Sequence, residues 1–276
     1  HFIFNSPWRD VDIANHPQDI KPVIRLKAPK EGVTIVKDLL QGNVVVQNSQ
    51  LDDMILLRSN GSPTYMLAVV VDDHDMGVTH IIRGDDHLSN AHRQQILYEA
   101  FEYNIPAMVH IPLIHGPDGA KLSKRHGALG TESYKDMGYL PEALCNYLLR
   151  LGWAHGDDEI IPRDKAIEWF NIEGLGKSPA RLDFNKMKFL NAQYLRQKND
   201  AELTDIVIKM IEEDHKISKV SKNNILKAMP NLKTRAELLV DLKQLSIMYV
   251  VDFSISITEE AKQIIANTDD HLLKDI

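Results

Sequence analysis

The stretch THIIRGDDHLSNAHRQQILYEAFEYNIPAMVHIPLIHG, residues 79–116, decides the fold of this chain. It begins with a short β-branched run that ends in glycine, continues with a helical pattern, and closes with a second apolar run, AMVHIPLIH. The order strand, helix, strand is typical of a parallel α/β sheet, in which ligands bind beyond the carboxyl ends of the strands. We expect Ser89 to cap the helix. The side chains expected on its buried face are Leu88, Ala91, Leu97 and Phe101.

The composition is that of an ordinary soluble globular protein. Apolar residues make up 43% and charged residues 26% of the 276 residues, a length that predicts about two domains. The longest apolar run, MLAVVV at 66–71, is too short to cross a membrane, and no secretion leader is recognisable. We therefore expect a cytoplasmic protein without a membrane partner. The single cysteine, Cys145, excludes a disulfide framework and a thiolate zinc cluster, and we expect it to be buried.

On either side of the opening stretch the pattern changes. Residues 1–63 are divided into short β-branched runs by Gly, Pro and Asn and predict a small strand-rich module. The segment YMLAVVVDDHDMG at 65–77 is ambiguous between strand and helix. Beyond residue 129 the apolar periodicity is helical. The predicted helices lie within 130–138, 140–152, 162–170, 184–197, 201–214, 233–250 and 259–276.

A basic loop, GPDGAKLSKRHGALG at 116–130, directly follows the second apolar run. Lys121 and Lys124 are separated by two residues in a glycine-flanked segment, so both could close over a polyphosphate, with Ser123 adding a hydroxyl donor. Cations delivered by such a loop stabilise the charge that builds up when the α-phosphate of ATP is attacked. As an isolated spacing, however, two lysines more often mark an exposed basic loop.

The charge distribution leaves a nucleic-acid partner open. The net charge is −7, which argues weakly against one, yet residues 177–198 are locally basic. Such a patch could contact a phosphate backbone or form an ordinary solvated helix face, and charge alone favours neither. Its cations are Lys177, Arg181, Lys186, Lys188, Arg196 and Lys198, opposed by Asp183 alone.

Other candidate sites are weaker. DDHD at 72–75 and GDDH at 84–87 have metal-like spacing but lack a third cluster to complete a site, so solvated acids or helix caps are the better interpretation. His110, His115 and His126 flank the basic loop, and the sequence identifies no partner that would make one of them a general base.

The whole loop is more specific than its lysine spacing. KLSKR resembles the K-M-S-K-S signature of class I aminoacyl-tRNA synthetases, in the variant of the glutamyl enzymes. Three longer stretches are similar to the bacterial glutamyl-tRNA synthetases in the same order, and they occupy 62–87, 110–128 and 138–153. The chain is identified on this basis as a member of that family, with a resemblance from about Pro22 to about Arg196.

The resemblance implies an α/β fold with three parts. It predicts the second half of a Rossmann-type class I catalytic domain, a small inserted α+β module before it, and an all-α C-terminal domain. The implied boundaries are 1–63 for the rest of the acceptor-binding module, 64–150 for the catalytic half with the KLSKR loop, 151–198 for a stem-contact segment, and 199–276 for an incomplete anticodon-binding domain.

The resemblance also implies site residues. Lys124, helped by Lys121, would stabilise the transition state of glutamate activation by ATP, with Mg²⁺ carried by the nucleotide and no protein-bound zinc. The implied nucleotide-binding residues are Lys121, Ser123, Lys124, Arg125, Asp86, His87, Leu113 and Ile114. The implied glutamate-binding residues are Tyr65, Val69 and Arg83. The implied tRNA-binding residues are Lys177, Arg181, Lys186 and Lys188.

Two of these positions have a direct physical reading. A guanidinium such as that of Arg83 grips a carboxylate in bidentate fashion and discriminates against an uncharged analogue. Val69 stands where some relatives have an asparagine, and because valine donates no hydrogen bond its contact with a substrate would be steric.

One expected signature is not found. Class I synthetases also need an H-I-G-H motif in the first half of the nucleotide-binding domain, and this sequence has none. We therefore predict a fragment that is inactive alone, from a monomeric protein that ligates L-glutamate to tRNA(Glu), with charging of tRNA(Gln) left open. A non-catalytic tRNA-binding paralogue is the main alternative. A truncated relative acting on a modified tRNA base is disfavoured by the helical segment from Asp200, and a glutaminyl enzyme by KLSKR, since its loop usually reads V-M-S-K-R.

Overall fold

The computed structural model describes residues 4, 6–116, 118–122, 130–214 and 216–250. These residues fall into two compact units, one drawn from His1–Leu129 and Cys145–Phe184, the other from Gly130–Leu144 and Asn185–Ile276. Neither unit is continuous in sequence.

The first unit contains two sheets among its described residues. A two-stranded antiparallel sheet pairs β1 (Ile24–Arg25) with β4 (Ile55–Leu57). The larger sheet has the order β3-β2-β6-β5 and is formed by β2 (Val33–Asp38), β3 (Gly42–Gln47), β5 (His80–Gly84) and β6 (Ala107–Ile111). β2 and β3 form an antiparallel hairpin, whereas β6 runs parallel to both β2 and β5. The strand, helix, strand prediction for 79–116 is thus confirmed.

The helices of this unit are α1 (Tyr65–Asp75), α2 (Leu88–Ala100), the later part of α4 (Pro141–Gly152) and α5 (Arg163–Trp169). Two of them, α1 and α2, share the core of the first unit with its strands. Val70 of α1, Leu97 of α2 and Met108 of β6 share one buried cluster. The ambiguous segment is therefore helical over Tyr65–Asp75, with Val69 and Val70 placed against this cluster.

Two details predicted for α2 are wrong. Ser89 does not cap the helix, because a short 3-10 turn, Asp85–His87, runs into it and leaves His87 at the cap position without a side-chain cap. Ala91 and Leu97 are buried as predicted, but Phe101 follows the last residue of the helix and is 40% exposed.

The boundary predicted after residue 63 does not separate two structural units. The strands β2 and β3 precede it, yet they share a sheet with β5 and β6, which follow it. Residues before 63 are strand-rich as predicted. A strand at a sheet edge can pair with a strand from a distant part of the chain, and local sequence patterns do not show which strands pair.

The burial predicted for Cys145 is also wrong, since its side chain is exposed. The buried residues of α4 include Ala143, Asn146 and Tyr147, at the i, i+3, i+4 spacing of one helix face. Cys145 lies on the other side of that helix.

The second unit is helical throughout its described residues. It contains α3 (Thr131–Asp136), most of α6 (Phe184–Gln197), α7 (Asp200–Glu212), α8 (Lys219–Arg235) and α9 (Leu239–Ile247). Its core includes Leu203, Ile211, Ile225 and Leu242. Asn199 caps α7 by accepting hydrogen bonds from the Ala201 and Glu202 amides.

The helix predicted within 233–250 is divided in the structure. Its first residues end α8, and α9 begins after a break at Ala236–Leu238, where the Asp241 carboxylate accepts from the Glu237 and Leu238 amides. Most of α8, which holds Pro230 in its interior, was not predicted. The helix predicted at 259–276 lies outside the described residues. None of the described helices is long and apolar enough to cross a bilayer.

Candidate active site

The carboxyl ends of three strands bring Asp38, Arg83 and His110 together. Asp38 is the last residue of β2, and Arg83 and His110 are next to last in β5 and β6. Arg83 and His110 are direct partners in the parallel β5–β6 ladder. The site therefore lies at the sheet edge where ligands of α/β proteins bind.

A continuous chain of hydrogen bonds joins these residues to α2. His110 Nδ1 donates to Asp38 Oδ2 at 2.6 Å, and Arg83 Nε donates to His110 Nε2 at 3.1 Å. Arg83 Nη2 in turn donates to Gln94 Oε1 at 2.7 Å. Because arginine Nε can only donate, Nε2 of the imidazole must accept, and the ring proton must be on Nδ1.

The acid end of this chain is fully buried. The side chains of Asp38 and His110 are both 0% exposed. The Asp38 carboxylate also accepts from the backbone amides of Leu40 at 2.9 Å, Gln41 at 2.8 Å and His110 at 3.0 Å, so its lone pairs are well used. These hydrogen bonds replace the ones that burial takes away from the carboxylate oxygens.

Burial also fixes the charge state of His110. Burial lowers the pKa of the imidazole below its ordinary value of 6.5, and this effect outweighs the raising influence of the hydrogen bond to Asp38. The neighbouring Arg83 cation lowers the pKa further. His110 is therefore neutral near pH 7, which is the state in which Nε2 can accept from Arg83.

A second polar group forms just past β5. Lys121 Nζ donates to Asp86 Oδ2 at 3.1 Å, and this hydrogen bond lowers the pKa of the Asp86 carboxyl. Both side chains are exposed. A Cβ added at Gly84 would lie 2.7 Å from Asp86 Oδ1 and 3.2 Å from Leu113 Cδ2. Glycine at this position therefore lets the carboxylate fold back over the strand end.

The base of the KLSKR loop is a short ribbon of backbone hydrogen bonds. The Gly116 amide donates to the Ala120 carbonyl at 2.8 Å, and the Leu122 amide donates to the Ile114 carbonyl at 3.1 Å. The other side of His115 is tied to a later segment, because its amide donates to the Ala180 carbonyl and its carbonyl accepts from the Leu182 amide. The predicted residues Ser123, Lys124 and Arg125 lie outside the described residues.

The remaining predicted substrate residues surround the same strand end. The ring of Tyr65, at the first position of α1, lies 6.2 Å from that of His87, measured between centroids. Leu113 and Ile114 follow β6 and are half-buried. Val69 is also half-buried and packs against the core cluster of the first unit.

Comparison with known proteins identifies the family. Residues 9–189 match the family model described as tRNA synthetases class I (E and Q), catalytic domain. The chain belongs to this family. The synthetase chain is 61% identical over 276 residues to Glutamate--tRNA ligase 2 of Rickettsia felis and 59% identical to Glutamate--tRNA ligase 2 of Rickettsia typhi. Each match covers the whole of this chain but only 60% and 59% of the relatives' own length.

A solved structure agrees with the fold of the synthetase chain. The crystal structure of a glutamate tRNA ligase from Elizabethkingia meningosepticum in complex with its amino acid matches with a TM-score of 0.77 at 30% identity. The match covers 92% of this chain and 54% of that one. The family predicted from KLSKR and its surroundings is thereby confirmed.

The tRNA-binding residues predicted for this synthetase chain are divided between the two units. Lys177 and Arg181 are exposed in the first unit, and the exposed Lys186 and half-buried Lys188 lie on α6 in the second. Lys198, counted in the same basic segment, is paired with Glu142 at 2.7 Å and Glu202 at 3.6 Å. The positive charge of Lys198 is therefore balanced by these two carboxylates.

Sequence reasoning missed two members of the site and gave a third no partner. Asp38 and Gln94 were not considered, and His110 was noted without a partner. Asp38 and His110 could have been suspected from the sequence, because each is a titratable residue at the end of an apolar strand. Nothing in the sequence paired them, because they are 72 residues apart. Within the described residues, no group of three or more His, Cys, Asp or Glu side chains could hold a metal ion.

Proposed function

We propose that this chain supplies the second half of the catalytic domain of a glutamate-tRNA ligase. In the first step the glutamate α-carboxylate attacks the α-phosphorus of ATP, forming glutamyl-adenylate and releasing pyrophosphate. In the second, the terminal ribose hydroxyl of tRNA(Glu) attacks the activated carbonyl and AMP leaves. The attacking carboxylate is already ionised, so the first step needs no general base.

One observation carries the assignment of the nucleotide site. Lys121, at the start of the KLSKR loop, lies 3.1 Å from Asp86 beyond β5, so the loop base and the strand end adjoin the same space. The proposed ligand there is ATP with its Mg²⁺, flanked by His87, Leu113 and Ile114. The phosphates would compete with Asp86 for Lys121, while Lys124 with Ser123 and Arg125 would meet the charge that develops during transfer.

The proposed glutamate site is Arg83 with Tyr65 and Val69. Arg83 is half-buried at the carboxyl end of β5, where a guanidinium can pair with a carboxylate in a partly desolvated setting. Loss of that pairing leaves a poorly solvated cation, which is the physical basis for rejecting a neutral analogue.

The wider assignments follow the family. We propose that Lys177, Arg181, Lys186 and Lys188 contact the tRNA backbone, where each phosphate contact releases counterions. The active ligase would also need a first nucleotide-binding half with an H-I-G-H signature, and we refer to that longer protein as the complete ligase. We further propose that it acts as a monomer in the cytoplasm.

The test is ATP-dependent glutamylation of tRNA(Glu) and, separately, of tRNA(Gln). The complete ligase should charge tRNA(Glu), and the 276-residue chain alone should not. In the complete ligase, Lys124→Ala should slow adenylate formation by about 10²–10³-fold and leave tRNA affinity nearly unchanged. Lys219→Ala, which removes an exposed cation from the start of α8, is the matched control.

Three results would count against the proposal. Charging by the isolated chain would show that the H-I-G-H half is dispensable. An equal loss of activation and tRNA affinity in Lys124→Ala would point to a structural lysine. Tight tRNA binding by a complete protein that forms no adenylate would favour the non-catalytic paralogue.

A further inference from the structure

The buried polar chain behind Arg83 has no role in the function proposed so far. It runs from Asp38 through His110 to Arg83 and ends at Gln94. Two of the three guanidinium nitrogens, Nε and Nη2, are held by it. Among the described residues, no protein acceptor takes the third nitrogen, Nη1.

A contribution to folding stability does not by itself account for these buried, hydrogen-bonded polar residues. Gln94 is 1% exposed, and its Nε2 has no hydrogen-bond partner within the described part of the fold. An unsatisfied buried donor costs about 1–3 kcal/mol, and well-packed apolar residues often replace buried ionic groups without loss. Within the described residues, the hydrogen bond that the Gln94 side chain accepts from Arg83 Nη2 is the one it makes.

We propose that His110, backed by Asp38, and Gln94 are positioning residues for Arg83. They fix the plane of the guanidinium from two sides and leave Nη1 directed to the ligand. Asp38 holds the His110 proton on Nδ1, which keeps the Nε2 lone pair aimed at Arg83 Nε. This inference rests on the proposed function, because Arg83 is taken to bind a glutamate carboxylate.

Holding the guanidinium in this way should lower the cost of binding. A free arginine side chain loses rotamer freedom when it pairs with a ligand, and a pre-oriented one does not. The effect should therefore appear in the KM for glutamate and leave the KM for ATP largely unchanged. A merely structural network would instead affect both substrates together.

Two substitutions of His110 separate positioning from packing. In His110→Gln the side-chain amide oxygen can take the place of Nε2 and accept from Arg83 Nε. His110→Asn instead keeps a donor for Asp38 and leaves Arg83 Nε without an acceptor. In the complete ligase, His110→Asn should raise the KM for glutamate by about 10–100-fold, and His110→Gln should recover most of that loss. Equal KM values for the two variants would overturn the proposal.

The variant Gln94→Met tests the same inference with a substitution that is expected to preserve folding. Methionine matches the volume of glutamine, removes the orphaned Nε2 donor and takes away the acceptor for Arg83 Nη2. It should keep or raise the melting temperature and still raise the KM for glutamate by about tenfold. An unchanged KM for glutamate would overturn the role of Gln94 in positioning.

The variant Arg83→Lys distinguishes failure of the proposed glutamate site from failure of the positioning inference alone. If that variant leaves the KM for glutamate unchanged, the proposed role of Arg83 fails and the positioning role fails with it. If Arg83→Lys raises the KM strongly while His110→Asn and Gln94→Met do not, the proposed function stands and only the positioning inference is refuted.

Discussion

Replacing Gly174 with alanine should destabilise the first unit by a predictable amount. An added Cβ would overlap Trp153 Nε1 and lie 2.8 Å from the Ala154 carbonyl oxygen and 2.9 Å from Trp153 Cδ1. The indole cannot easily move away, since it is 3% exposed and its Nε1 donates to the Asn171 carbonyl at 3.0 Å. The backbone is held too, because the Gly174 amide donates to Asn171 Oδ1 at 2.7 Å.

The expected magnitude follows from these contacts. Overpacking a closed site costs about 1–3 kcal/mol, and a weakened indole hydrogen bond adds about 1 kcal/mol. Alanine recovers about 0.4–1 kcal/mol by restricting the unfolded chain. The net loss of about 1–3.6 kcal/mol should lower the melting temperature by about 2–14 °C. Gly176→Ala is the matched control, because its nearest contact would be the Gly152 carbonyl oxygen at 3.7 Å.

Tryptophan fluorescence is the suitable assay. All three tryptophans, Trp8, Trp153 and Trp169, belong to the first unit, so their emission follows that unit alone during a thermal scan. A Gly174→Ala variant that melts within about 2 °C of Gly176→Ala would refute the reasoning, because it would mean that the Trp153 ring can move aside at little cost.

Three further predictions concern single groups. The pKa of His110 lies below 6.5 in the folded protein, so below about pH 6.5 the unfolded chain binds a proton at this residue more readily than the folded chain does. The free energy of unfolding, measured with urea, should therefore decrease as the pH drops below about 6.5. The decrease should be smaller in His110→Asn. Lys121→Ala should raise the pKa of Asp86 towards its ordinary value of 3.8 in an NMR titration, and an unmoved titration curve would contradict the ion pair. Leu203→Ala, at a fully buried position of the second unit, should cost about 2–5 kcal/mol by circular dichroism without shifting the tryptophan transition.

Local patterns predicted the elements of the fold better than their partners. The alternation of apolar residues and the glycine at position 84 were enough to place β5, α2 and β6. They could not show that β2 joins the same sheet, because strand pairing depends on contacts far apart in the chain. For this reason the local patterns change at residue 63 while the larger sheet takes strands from both sides of it. The exposed Cys145 reflects a related limit, since an apolar stretch does not reveal which helix face is buried.

The family resemblance named candidate site residues one position at a time, and it did not name the side chains that they contact. Arg83, Asp86 and His87 follow one another along a strand and turn, and the family resemblance named all three. The partners of Arg83 and Asp86 come from elsewhere, since His110 is 27 residues from Arg83 and Lys121 is 35 residues from Asp86. These pairs exist only after the sheet has formed, so no local signal in the sequence marks them.

The in-register pairing of β5 with β6 has a consequence for changes in chain length. Side chains of a strand alternate between its two faces, so a one-residue deletion before His110 in β6 would place Ile111 opposite Arg83 and turn His110 to the other face of the sheet. The loop 101–106 before β6 carries no such constraint, since its length does not set the register. Insertions should therefore be tolerated in that loop and rejected within the strand, and a library of single-codon insertions across 101–111 would map the boundary between the two.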